Sequence, residues 1–146
     1  MGTIRLPPDF KEFLRLLNSN KVEYLLIGGY AVGYYGYPRP TGDMDIWIAR
    51  TPENARKVVH ALGEFGFTCP EGLLLEQKKV VRMGVPPFRL EILTTISGVD
   101  FPTCYAERLQ VELDEVEVSL ISLPHLKLNK KASARTKDIT DLDNLP

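Results

Sequence analysis

Two aspartates one residue apart, Asp43 and Asp45, open an apolar run, Ile46-Trp47-Ile48, and this pairing restricts the possible folds more than any other feature. In a strand, residues i and i+2 point to the same face, so the run predicts two carboxylates side by side at the head of a buried strand. Carboxylates that close repel each other, and a divalent cation is the usual remedy. Upstream, residues 24–27 predict another buried strand, which runs into Gly28-Gly29. Glycines there let a phosphate approach the backbone closely, at the start of a helix predicted from Ala31 onward.

Asp-x-Asp beside a turn is common in solvated loops, and Gly-Gly alone says less still. Order and spacing give the set its meaning: strand, Gly-Gly, short helix, a turn over residues 37–42, Asp-x-Asp, strand, and later the isolated acid of Leu90-Glu91-Ile92. Alternation in residues 89–93 predicts Arg89, Glu91 and Leu93 on one face. An inward acid among apolar neighbours is costly unless paired or bound to metal. Glu91 therefore has two readings: a metal ligand, or the salt-bridge partner of Arg89.

Gly28-Gly29, thirteen intervening residues, Asp43-Met44-Asp45-Ile46 and then Leu90-Glu91-Ile92 resemble the nucleotidyltransferase superfamily of the polymerase beta type. Arg39-x-Thr41-x-Asp43-x-Asp45 and the ending LPHLKLNKKASARTKDITDL resemble its small prokaryotic branch, which includes abortive-infection and toxin-antitoxin enzymes. The resemblance covers most of the chain, from about Val22 to Leu142. It departs at Glu91, where this branch often has Asp, and in lacking the additional C-terminal domains that many members carry. The fold implied is α+β, a mixed, mostly antiparallel sheet of about four to six strands, with helices mainly on one side and the acids at one sheet end. The activity implied is transfer of an NMP from a nucleoside triphosphate to an acceptor hydroxyl, with release of pyrophosphate. Asp43, Asp45 and Glu91 would be the catalytic acids and would hold Mg2+, with two ions expected; Glu91 would also be the base. Gly28 and Gly29 would hold the outer phosphates, with Lys127 or Lys130 as cationic partners and Arg39 and Thr41 beside them. The acceptor is open: a tRNA end, a protein or a small molecule. A homodimer or a cognate partner protein is also open. The rival reading is a catalytically inactive module of the same fold that binds nucleotide, RNA or a partner protein.

Other nucleotide and metal enzymes fit poorly. No G-K-[ST] follows the glycines, and Gly28-Gly29-x-x-x-Gly33 is not the dinucleotide fingerprint. An EF-hand requires polar ligands and a glycine after Asp45, where Ile46-Trp47-Ile48 stands.

At 146 residues the chain is long enough for a single domain, 1–146, and short for two. An apolar fraction of 44% with 25% charged residues excludes the disordered and fibrous classes. The net charge of -1 exerts no global pull on nucleic acid, so any such pull is local. Cys69 and Cys104 form no zinc-ligand spacing and are expected to be reduced, buried thiols. No stretch has signal-peptide or membrane-span character, so a cytoplasmic location without membrane contact is expected.

Elsewhere, Pro7-Pro8-Asp9 predicts a packing helix with Phe10, Phe13, Leu14 and Leu17 on its inner stripe. Thr51-Pro52-Glu53 predicts another, ending at Gly66. Short strands are expected at 80–83, 88–93, 111–113 and 116–120, with a loop over 94–103. Ser122-Leu123-Pro124 opens a last main helix placing Lys127, Lys130, Lys131 and Arg135 on one face, either a solvated stripe or a cation source for a triphosphate. A short helix over 136–142 carries Asp138 and Asp141, available to brace that basic helix.

Overall fold

The computed structural model describes residues 4–38, 42–85 and 87–146. A six-stranded mixed sheet of β1 (Tyr24–Ile27), β2 (Asp43–Ile48), β3 (Val80–Met83), β4 (Arg89–Leu93), β5 (Leu109–Leu113) and β6 (Val116–Leu120) has the order β3-β4-β2-β1-β6-β5. The pairs β1–β2, β3–β4 and β5–β6 are antiparallel, whereas β1–β6 and β2–β4 are parallel. The architecture is thus the expected α+β, with a mostly antiparallel sheet flanked by helices.

Alternation divides the two central strands between faces. Met44, Ile46, Leu90 and Ile92 are buried on one side, the side covered by α1 (Pro8–Ser19) and α3 (Pro52–Phe65). Helix α1 presents Phe10, Phe13, Leu14 and Leu17, all buried at the predicted spacing; each such side chain stabilises the fold by roughly 1.5–3 kcal/mol. Helix α3 starts where Thr51 Oγ1 accepts the Asn54 backbone N–H at 3.2 Å, and ends at Gly66, whose φ of 103° is left-handed. Buried Asn54 accepts the Glu23 backbone N–H and donates to the carbonyls of Glu23 and Ala49. One side chain thereby ties α3 to the start of β1 and the end of β2.

The opposite face carries Asp43, Asp45 and Trp47 on β2. Two short elements were not read from the sequence: a 3-10 turn at Glu71–Leu75, which packs against α3, and α4 (Phe101–Ala106), which begins inside the expected loop over 94–103. Helix α4 forms because Asp100 caps it through the Thr103 N–H and hydroxyl, with Pro102 in its first turn. Phe101 then packs edge-on against Trp47, ring centroids 5.0 Å apart. Helices α5 (Leu123–Ser133) and α6 (Thr136–Asn144) close the same side, so helices flank both faces rather than mainly one. The two cysteines are free and buried, and no described helix is long and apolar enough to cross a membrane.

Candidate active site

Strand register brings the acids together. Asp45 lies beside Glu91 in the parallel β2–β4 pair, and Glu91 lies beside Arg82 in the antiparallel β3–β4 pair. Arg82, Glu91 and Asp45 therefore make one row across three strands, on one face. One rung away, Asp43 lies beside Arg89. On its other side Asp45 pairs with Ile27, the residue before Gly28, so the glycine turn sits directly over the acid row.

Gly28 begins α2 (Gly28–Tyr34) with a φ of 69°, a left-handed conformation that disfavours any side chain. A Cβ at this position would overlap Asp45 Oδ2 and stand 3.1 Å from Cγ. The glycine is required by close approach of backbone to carboxylate. The same approach helps bury Asp45: burial first, and then the negative charge and hydrogen bond of Glu91, push its carboxyl up to about 7. Two acids placed to share a proton are placed to share a cation instead.

Cations of the chain itself engage the other acids. Arg89 grips Asp43 with two hydrogen bonds, at 3.2 and 3.1 Å, and its Nη2 lies 3.6 Å from Glu91 Oε1. Arg82 Nε donates to Glu91 Oε1 at 3.1 Å. The ion-pair reading of Glu91 is thus present in the fold, with Arg82 joining Arg89, while its place beside Asp45 keeps it next to a second carboxylate.

These groups line a cleft of about 540 Å³ with Gly28, Gly29, Lys130, Ser133, Arg135 and Lys137. The predicted basic helix face divides on inspection. Lys127 donates to the Pro146 carbonyl and is not among the lining residues. Lys130 reaches the cleft wall but is buried, its ammonium 3.1 Å from Asp138 and 3.0 Å from Asp141. Arg135 lies beyond the end of α5, because Ala134 turns left-handed at φ 50°; it pairs with Asp138 at 2.8 Å. Burial alone raises the Asp138 carboxyl, but hydrogen bonds from Arg135, Ser133 and Lys130 outweigh it and hold the group well below the usual carboxylate range. Asp138 and Asp141 do brace the basic segment, and in doing so they take the charge of Lys130. Arg39 and Thr41 lie outside the described residues.

Three cations at the cleft were not singled out by sequence: Arg82, Arg89 as a cleft cation, and Lys137. Lys137 is exposed in the first turn of α6, and its charge opposes the upward shift of Asp45. Its one sequence signal is adjacency to Asp138, the residue that fixes this turn.

The donor set fits a divalent cation such as Mg2+. It offers hard carboxylate oxygens on the neighbouring Asp45 and Glu91, while Arg89 and Arg82 already pair with Asp43 and Glu91 and would compete with the cation there. Among the described residues, no three acidic, histidine or cysteine side chains stand as a ready-made cage; Asp43 is held by Arg89. A cation would be held by Asp45 and Glu91, joined by Asp43 on exchange of its arginine partner.

No family model and no curated protein matches the chain. Among solved structures, it is similar to a crystal structure of a Thermotoga maritima protein described as a candidate nucleotidyltransferase. The TM-score is 0.61 at 16% sequence identity, over 96% of this chain and 92% of that one. At that identity the likeness concerns the fold, which the two chains share along nearly their whole lengths.

Proposed function

We propose that the chain is a metal-dependent nucleotidyltransferase that moves an NMP from a nucleoside triphosphate to an acceptor hydroxyl and releases pyrophosphate. The observation that carries this is the row of Asp45 and Glu91 on adjacent strands, directly beneath Gly28. Mg2+ bound there would supply charge neutralisation at the alpha-phosphate and lower the proton affinity of the acceptor hydroxyl. Gly28 and Gly29 line the same cleft, and their backbone N–H groups would hold the outer phosphates. Lys137, with Arg89 once it leaves Asp43, would neutralise the triphosphate; Lys130 would act through position, by holding α6. Glu91 would accept the hydroxyl proton.

Membership of the abortive-infection and toxin-antitoxin branch belongs to the same reading and rests on the sequence resemblance; a cytoplasmic setting is proposed from the lack of signal-peptide or membrane-span character in the sequence, and a second subunit or cognate partner is proposed with it. Incubation with alpha- and gamma-labelled nucleotides separates the chemistries. Label should reach an acceptor from the alpha position only, and be lost in Glu91→Gln with nucleotide affinity largely kept; Asp45→Asn should lose both. Gamma label on an acceptor would identify a kinase. No transfer from either position, across all four nucleotides and broad acceptors, would leave the non-catalytic binding module.

A further inference from the structure

The acid row has an apolar neighbour on the same face. Two residues along each strand, Val80 lies beside Leu93 and Leu93 beside Trp47, so Val80, Leu93 and Trp47 form a second row parallel to Arg82, Glu91 and Asp45. Two residues of strand separate the rows by about 7 Å. Over the second row lies another cleft, of about 800 Å³, floored by Trp47 and Val80 and walled by Ile96, Val99 and Phe101. Thr95, Ile96 and Ser97 line both clefts, which lie side by side along one loop. Gly98 holds that loop on α5: a Cβ there would stand 3.1 Å from the Leu128 carbonyl oxygen, and Asn129 donates to the Ser97 carbonyl at 3.0 Å.

The charges of the two clefts differ. The acidic cleft gathers Arg82, Arg89, Lys130, Arg135 and Lys137 around its carboxylates, whereas the second balances Glu23 and Asp100 against Arg50 and Lys78. Asp100 is spent on the α4 cap, and Arg50 donates to the Leu75 carbonyl. The second cleft therefore offers a polyanion no net attraction, and its size suits a small molecule.

We infer that this second cleft is the acceptor subsite, and that it takes a small uncharged molecule with an apolar body and a hydroxyl group. This rests on the nucleotidyl-transfer reading. The acceptor oxygen would form its bond to the alpha-phosphorus as the bond to pyrophosphate breaks, and the hydroxyl proton would pass to Glu91 and on to water.

The test uses the full chain, alpha-labelled nucleotides and a cell extract divided by ultrafiltration into small-molecule and macromolecular fractions. Label is expected in the small-molecule fraction, on a product less polar than the nucleotide. Val80→Trp, at an exposed strand position that fills the second cleft, should reduce that labelling by about tenfold or more; its nucleotide-induced rise in Tm should match the parent's and so report an intact fold and nucleotide site. Label confined to RNA or protein would overturn the inference while leaving the transferase reading standing. Small-molecule labelling that Val80→Trp leaves unchanged would also overturn it. Absence of label in both fractions would remove the transferase reading and this inference together.

Discussion

Arg89 stands opposite Asp43 on the neighbouring strand and holds both its carboxylate oxygens, Nε to Oδ1 at 3.2 Å and Nη2 to Oδ2 at 3.1 Å. The guanidinium occupies the place at Asp43 that a metal would contest. Arg89→Ala should therefore tighten Mn2+ binding about fivefold in the absence of nucleotide, the scale of one partly exposed ion pair. The Tm of the metal-free protein should fall, because three carboxylates lose a counter-charge. Paramagnetic titration of Mn2+ measures the first effect; unchanged or weaker binding would show that Arg89 organises the ligands rather than competing for them.

Asp45 makes stability depend on pH. Its carboxyl ionises near 7 in the folded chain against an ordinary value of 3.8, so between those values the native state binds the extra proton. Stability then falls as pH rises through that window. Asp45→Asn removes the proton and the dependence, and should raise the metal-free Tm by about 5 °C at about pH 8 while changing it little at about pH 4. Magnesium, competing with that proton, should stabilise the parent chain more at the higher pH. A parent and variant with parallel pH profiles would disprove the shift.

Gly28 carries two demands at once, a left-handed backbone and room for Asp45 Oδ2. Gly28→Ala should lower stability by roughly 2–3 kcal/mol, combining the left-handed penalty with displacement of the acid. Denaturant unfolding in the presence of chelator measures this without any ligand contribution.

The three lysines of the C-terminal segment should separate cleanly. Lys130→Ala removes the ammonium shared by two buried carboxylates and should destabilise by about 3–5 kcal/mol. Lys127→Ala should stay within about 0.5 kcal/mol of the parent and respond to nucleotide as the parent does. Lys137→Ala should keep the parent's stability yet lose much of the Tm rise given by magnesium and triphosphate. A normal response in Lys137→Ala would remove it from the nucleotide site.

Local pattern made much of the fold legible. The residues of β1, the start and end of α3, the inner stripe of α1 and the boundaries of β3 and β6 follow from alternation, capping and helical spacing within a few residues of chain. Helix α4 was less legible because its cap, Asp100 with Thr103, lies in a segment otherwise read as loop. Its docking partner, Trp47, is more than fifty residues away in sequence.

The sequence by itself determined which side chains share a face: Asp43 with Asp45, and Arg89 with Glu91, because the side-chain period of a strand is two. It also marked the glycine pair, with which α2 begins, three residues before the predicted start at Ala31. Only the tertiary structure decided that Asp45 and Glu91 are neighbours, since the β2–β4 register joins segments with a helix and another strand between them. The same is true of the lysines. Helical spacing grouped Lys127 with Lys130, but burial against Asp138 and Asp141 turned one inward, and the left-handed turn at Ala134 sent Lys137 to the cleft on a separate helix. Charge along a helix is visible in sequence; which charge is neutralised depends on what packs against it, and that is a property of the folded chain.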